Sequence, residues 1–349
     1  MSEARSVPAR LALREAHAAA GASFLVRSGW ELPAHYGDAA AEHAALRSAA
    51  AVFDCSHRSR IMVSGTDAPL VLDRVFAGNI TRLEEGGAAR TVALADSGLI
   101  RDLALVVRTG SLSFLVCGEP GQRLWTESRL RRAIEADFDA RVEDRTLVTC
   151  TVAVAGPMAE ATIMEHVADA LPAALEPLRS VAFEFHGFRA LATRTSDTGE
   201  DGIEFVLAPA PALHLIETLS AAGVSLAGDT AHETARLEAS IPAYEPDLEA
   251  GLTVGEAGLD SILGIAPGAV TRVLSALVLE QVAPVGAAIT CDGAVAGELR
   301  SCARSFSLDA VIGLGVIDQC YSFPGAAVEV GGHPGSVVAG PFYRRRRTT

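Results

Sequence analysis

The chain predicts an α+β protein that closes with a separate all-β unit. Up to about residue 265, apolar runs of strand length alternate with segments whose apolar residues recur at helical spacing. That mixture fits antiparallel sheets covered by helices. From Thr271 onward the pattern changes to short strands divided by Gly, Asp and Pro turns, with no convincing helix. Such spacing reads as a small β-barrel or β-sandwich. A domain boundary is therefore expected near 265–270, dividing the chain into 1–267 and 268–349. A chain of 349 residues holds roughly two or three domains with substantial cores.

A helical pattern runs from about 8 to 20, followed by the segment from Gly29 to Tyr36. Trp30 and Tyr36 are expected there as core and loop anchors. A second helix with one apolar face is expected over 39–49, then a strand over 60–64. Thr66 or Asp67 is placed to cap the next helix. Strands are expected over 91–95, 103–108 and 113–117. The helix expected over 123–138 carries Leu130, Ile134 and Phe138 at four-residue spacing. A strand over 147–155 runs into Gly156-Pro157 and another helix, strands flank Gly187, and a helix covers about 210–222. Gly332-His333-Pro334-Gly335 reads as a turn between two strands.

The most informative stretch is Arg194-Thr195-Ser196-Asp197-Thr198-Gly199-Glu200-Asp201-Gly202-Ile203-Glu204, between the apolar runs 188–193 and 203–207. A turn this rich in Gly and Asp between strand-like runs predicts a β-hairpin. Glu204 falls just inside the second strand, where a charge is costly unless it is paired or solvated.

Composition excludes several classes of function. A net charge of −14 opposes general nucleic-acid binding, which needs basic surface. Arg344 to Arg347 are a local exception, read as a solvated tail. The chain contains no lysine, so all 29 basic residues are arginine. Pyridoxal-phosphate catalysis and P-loop phosphate chemistry both need a lysine and are excluded. The protein cannot itself be a lipoyl or biotin carrier. Six cysteines, with no C-x-x-C pair, are expected to be reduced and mostly buried, which places the chain in the cytoplasm. Glu3, Arg5 and Arg10 interrupt the N-terminus, so no signal peptide is expected, and no apolar run reaches membrane-span length. His43 and His57 lack a third nearby ligand, so no metal is expected.

Several pieces together resemble one family. Gly29-Trp30-Glu31-Leu32-Pro33-Ala34-His35-Tyr36 resembles G-W-x-M-P-x-x-Y, Glu42-His43-Ala44-Ala45-Leu46-Arg47 resembles E-H-x-A-V-R, and Phe53-Asp54-Cys55-Ser56-His57 resembles F-D-V-S-H. Gly65-Thr66-Asp67-Ala68 is similar to G-x-D-A, and Gly98-Leu99-Ile100-Arg101-Asp102-Leu103 to G-G-V-I-D-D-L shifted by one glycine. Ala155-Gly156-Pro157 resembles Q-G-P, 194–204 resembles R-T-G-Y-T-G-E-D-G-F-E, Ala235-Arg236-Leu237-Glu238-Ala239 resembles L-R-L-E-A, and Pro341-Phe342 the closing P-F. These are motifs of the glycine cleavage T protein, an aminomethyltransferase, and its tetrahydrofolate-binding relatives. The order is the family's, and the resemblance covers nearly the whole chain.

The resemblance implies a three-domain cloverleaf: folate-binding α+β domains around a central site and a C-terminal β-barrel. It implies that tetrahydrofolate accepts a methylene group from an aminomethyl-lipoyl arm on a partner, the H protein, while ammonia leaves. Glu204 matches the glutamate that accepts the pterin's paired N–H donors, though it also suits an exposed hairpin edge. Asp102 matches the catalytic acid near the reactive nitrogens of folate, though it also suits the end of a turn. Burial would raise its pKa, and Arg101 and Arg108 are placed to lower it.

Departures from the family pattern fall in the same places. Arg101-Asp102 stands where the family has two acids, and Asp197 replaces a tyrosine that packs on folate. His232 replaces the first arginine of a pterin-contacting pair, as a hydrogen-bond donor, a cation or a packed histidine. Only the second arginine, Arg236, is kept, as a cofactor contact or a structural residue. Cys117-Gly118-Glu119 replaces the asparagines after a V-V strand.

The resemblance leaves alternatives to the one-carbon transferase: a non-catalytic folate-binding or regulatory paralogue, or a folate-binding subunit of a flavin-dependent amine oxidase or demethylase. The iron–sulfur-assembly branch carries K-G-C-Y-x-G-Q-E, and the corresponding 255–261 has neither cysteine nor lysine.

Overall fold

In a computed structural model the protein is described over residues 7–167, 175–266 and 268–345. Glu3, Arg5, Pro267, Arg346 and Arg347 lie outside the described residues. The fold is mixed α+β with several sheets and a closed C-terminal barrel.

The first large sheet has six strands in the order Ser180–Phe185, Phe188–Arg194, Gly202–Leu207, Cys150–Ala155, Ala51–Asp54 and Ser225–Leu226. One face packs on the helices Ala159–His166 and Pro209–Ala221, through Val52, Val152, Val154, Ile203 and Phe205 among others. Strand alternation sends the neighbours of those residues to the opposite face. There Ala51, Phe53 and Ala153 meet Leu46 of the helix Ala39–Ser48 and Ala231 and Ala235 of the helix Asp229–Glu238.

The second sheet has five antiparallel strands in the order Ala88–Leu94, Ile100–Gly110, Ser113–Gly118, Ser59–Ser64 and Arg141–Asp144. Its outer face buries Ala104, Val106, Phe114 and Val116 against the helices Ala68–Asp73 and Arg123–Arg132. Its inner face carries Leu105, Val107 and Leu115 toward Leu191 and Val206 of the first sheet. The two sheets thus pack on each other, and their helices cover the outside.

The barrel closes in the order Arg272–Leu279, Val311–Asp318, Ala294–Arg304, Ala288–Cys291, Ala327–Val330 and His333–Val338. Ala276, Ile312 and Leu314 dock it on Leu237 of the helix Asp229–Glu238. Trp30 is buried with Leu11 and Leu32, and the Tyr36 hydroxyl lies 2.8 Å from His17 Nδ1.

Several local expectations change. The helix expected over 8–20 is a strand, Ala9–Arg10, paired with Trp30 and Glu31, and then a short helix, Arg14–Ala19. The pairing takes the backbone groups that a helix would use. The helix expected over 123–138 stops at Arg132, and Phe138 returns to lie under the Arg74 guanidinium at 4.6 Å. Asp67 does not cap its helix; its carboxylate accepts the Asp139 N–H at 2.9 Å. The strand expected from 147 starts at Cys150, because Thr149 turns back to donate to the Arg145 carbonyl at 2.7 Å. The last turn lies at Gly331 and Gly332, both with positive φ, and His333 already belongs to the final strand.

Candidate functional site

A cavity of about 510 Å³ opens between the two sheets. Its wall comes from both α+β lobes, the helix Asp229–Glu238 and the segment leading to the barrel; no barrel strand lines it among the described residues. The volume lies in the ordinary range for a small-molecule site.

Glu204 enters this cavity because of strand alternation. Ile203 and Phe205 point to the helix-covered core, so Glu204 faces the other way, with only 7% of its surface exposed. Its Oε1 accepts from Arg58 at 3.2 Å. Burial pushes the Glu204 pKa up, Arg58 opposes that, and Asp197 adds to it.

Asp197 also lines the cavity, but it is engaged by two guanidinium groups: Arg58 at 2.7 Å and Arg90 at 2.6 Å. Burial would raise its pKa, yet Arg90 and Arg58 outweigh burial and hold the carboxyl well below the usual carboxylate range. Arg90 also donates to Thr195 Oγ1 at 2.7 Å and to the Ser196 carbonyl at 3.0 Å. The hairpin turn is therefore pinned at its tip.

Asp102 lies behind the cavity wall and is absent from the lining. It sits on the helix side of its strand, with Ala104 and Val106, and is fully buried. Its Oδ2 accepts from the Thr126 hydroxyl at 2.5 Å and its Oδ1 from the Glu119 N–H at 2.9 Å. Burial pushes its pKa up to about 8, with the hydrogen bonds from Thr126 and the Glu119 N–H opposing it. The expected lowering by Arg101 and Arg108 is corrected: Arg108 donates to the carbonyls of Leu83 and Ser111, and Arg101 lies 5.7 Å from the Trp125 ring. Asp102 lies within a strand, not at the end of a turn.

The residue that Asp102 positions does face the cavity. Glu119 lines it, and burial pushes the Glu119 pKa up to about 7, with Arg58 opposing. Gly118 beside it has no room for a side chain, since a Cβ there would lie 2.6 Å from Asp102 Oδ2.

His232 lines the cavity from its helix, edge-on to Phe53 at 5.2 Å between ring centres. Burial, aided by Arg58, lowers its pKa to about 4, so it is neutral at pH 7 and the cation expectation is corrected. His57 is likewise neutral, lowered by burial to about 3, and its Nδ1 is buried without a partner. Ser240 Oγ, also in the lining, is another buried atom without a partner. Orphaned polar atoms in a cavity wall are satisfied by whatever occupies it.

Arg236 borders the cavity, but its donors are spent within the protein. They reach Glu233 at 2.9 Å, Asp247 at 2.8 Å, the Ile241 carbonyl at 2.5 Å and Ser301 of the barrel at 3.2 Å. Arg236 is a structural keystone between helix and barrel, not a free contact. Arg27 holds Asp229 and Glu233 at 2.9 Å each. Burial raises Asp229 to about 6, and Arg236 and Arg27 overcome burial to bring Glu233 down to about 2.

Arg58 and Arg90 are not singled out as site residues by the sequence, and Glu119 is marked only as part of the segment that replaces the family's asparagines. Arg58 directly follows the recognised Phe53-to-His57 motif, which was the available signal. His43 pairs with Glu238 at 3.0 Å, and among the described residues no group of three or more His, Cys, Asp or Glu is placed to hold a metal. All six cysteines are free: Cys55, Cys150 and Cys291 buried, Cys117 and Cys302 half-buried, Cys320 exposed. Arg345 pairs with Asp201, so the start of the basic tail is tied down. No helix among the described residues is long and apolar enough to cross a membrane.

A partly open cavity between two α+β lobes, lined by apolar side chains and a few buried charged ones, with a barrel appended, marks a small-molecule-binding protein of multi-lobed α+β architecture. The model of the GCVT N-terminal domain matches residues 13–266, and that of the glycine cleavage T-protein C-terminal barrel domain matches 272–344. An aminomethyltransferase of Streptomyces avermitilis is 32% identical over 98% of this chain and 99% of its own length. One from Rubrobacter xylanophilus is 36% identical over 73% of this chain and 68% of its own. The crystal structure of the glycine cleavage system aminomethyltransferase T from Bartonella henselae superposes with a TM-score of 0.88 at 24% identity, covering 98% of this chain and 99% of that one. The chain belongs to the glycine cleavage T-protein family.

Proposed function

We propose that this protein is a tetrahydrofolate-dependent one-carbon transferase of the aminomethyltransferase type. The observation that carries the reading is Glu204, a carboxylate aimed from a strand into the inter-lobe cavity with Oε2 uncommitted. A pterin presents an amide N–H beside an exocyclic amine, and a carboxylate accepts such a donor pair. The orphaned His57 Nδ1 and Ser240 Oγ, together with the cavity volume, fit a polar ligand of this kind. Tetrahydrofolate, when bound, supplies the nitrogen pair that accepts a one-carbon unit.

The chain's own residues take distinct parts. Glu204 orients the ring, and neutral His57 and His232 offer ring nitrogens to it. Glu119, poised near pH 7, holds or releases a proton at its carboxyl within the cavity. Asp102 is a positioning residue that fixes the Glu119 backbone. The donor is an aminomethyl group on a lipoyl carrier, the H protein. Six free thiols suit the cytoplasm.

A second reading, a folate-binding paralogue without transfer activity, is favoured by the place of Asp102 behind the wall. Calorimetric titration with reduced tetrahydrofolate tests the main reading. Saturable binding is expected, weakened by about 1–3 kcal/mol in Glu204→Gln. Absence of saturable binding contradicts it, and binding without turnover selects the paralogue.

A further inference from the structure

The folate reading gives the cavity a ring-binding carboxylate, and this inference rests on that reading. One oxygen of that carboxylate already has a partner within the protein. Arg58 reaches Glu204 Oε1 with one terminal nitrogen at 3.2 Å and Asp197 Oδ2 with the other at 2.7 Å. Its guanidinium edge is a flat pair of N–H donors, the same chemistry that a pterin edge offers. We propose that Arg58 is a displaceable plug that stands in for the ligand's donor edge at Glu204, and that Asp197 is the anchor on which it parks when the ligand docks.

Three features of the arrangement support displacement over a permanent lock. The two arms are unequal: the contact to Asp197 is shorter by half an ångström than that to Glu204. The anchor is fixed independently, since Arg90 holds the other Asp197 oxygen at 2.6 Å and is itself tied to Thr195 and Ser196. Arg58 can therefore release Glu204 without leaving Asp197 unpaired. Finally, Arg58 lies in the connection between the strands Ala51–Asp54 and Ser59–Ser64, and its side chain is 20% exposed and borders the cavity.

The plug also balances charge. Two buried carboxylates with a single cation between them would repel, whereas Arg58 and Arg90 against Glu204 and Asp197 form a neutral set. Arg58 opposes the upward push of burial on the Glu204 pKa, at the cost of a competitor that every ligand must displace. Selectivity follows: a ring with a strong donor pair displaces Arg58, and a ring presenting only acceptors does not.

Calorimetry with tetrahydrofolate on the full chain at mildly alkaline pH, which favours ionised Glu204, tests this. Arg58→Met removes the competitor and is expected to tighten binding by about three- to tenfold. Asp197→Asn removes the anchor, throws Arg58 onto Glu204 alone and is expected to weaken binding by a similar factor. In the double variant the Asp197→Asn penalty should vanish, because no arginine remains to be redirected. Weaker or unchanged binding in Arg58→Met, with the wild type binding, overturns the plug and makes Arg58 a ligand contact or a bystander. If Arg58→Met does not fold, the sign of the Asp197→Asn effect decides alone: weaker binding supports the plug, unchanged or tighter binding overturns it. Binding by Arg58→Met where the wild type shows none supports the plug most strongly. Absence of binding in wild type and every variant removes the folate reading itself.

Discussion

Asp102 and Glu119 divide between them a role that the sequence reading gave to Asp102 alone. Asp102 is buried among helix-facing residues with both oxygens taken, and Glu119 carries the cavity-facing carboxyl. Burial raises the folded pKa of Asp102 to about 8, above its ordinary carboxylate value. Between those values the folded protein keeps a proton that the unfolded chain has released, so this residue's stabilising contribution declines as pH rises through that window. Asp102→Asn removes the titration. The variant should therefore gain on the wild type by about 1 kcal/mol or more between mildly acidic and mildly alkaline pH, read by urea unfolding. A constant difference across that range argues against a buried, proton-holding Asp102. Glu119→Gln should lower turnover by about 10²–10⁴ and remove the limb of the rate profile near pH 7. A variant that keeps both rate and limb assigns the proton elsewhere.

At the scale of elements, the helix Asp229–Glu238 organises the site. Ala231, Ala235 and Leu237 on its buried face pack on the first sheet and the barrel, beside Arg236 and Glu238. Arg236 neutralises Asp247, which is fully buried. Arg236→Met leaves that carboxylate unpaired and should cost about 3–5 kcal/mol in urea unfolding. A loss below ~1 kcal/mol would mean that Asp247 finds another partner. This helix was hard to read in the sequence because its burial follows ion pairing as much as hydropathy. The helix Pro209–Ala221, with Leu215, Ile216 and Leu219 inside, was legible for the opposite reason. The hairpin was legible as well, and Glu204 with it, because turn chemistry and strand alternation are local. Arg58 was not legible: its partners Asp197 and Glu204 lie about 140 residues further on, and nothing local marks that pairing.

At the scale of the molecule, the cavity depends on two sheets meeting face to face and on a helix that also holds the barrel. The fold class was legible because the change from α+β to short strands is a property of long stretches, whereas the cavity's electrostatics depend on distant pairs. A ligand that bridges the lobes should stabilise them together. The most direct test is thermal unfolding of the full chain with and without saturating tetrahydrofolate, repeated on Glu204→Gln. A clear upward shift of the transition is expected in the wild type and should be largely lost in the variant. Identical curves with and without tetrahydrofolate, or an equal shift in the variant, would contradict a folate site built on Glu204.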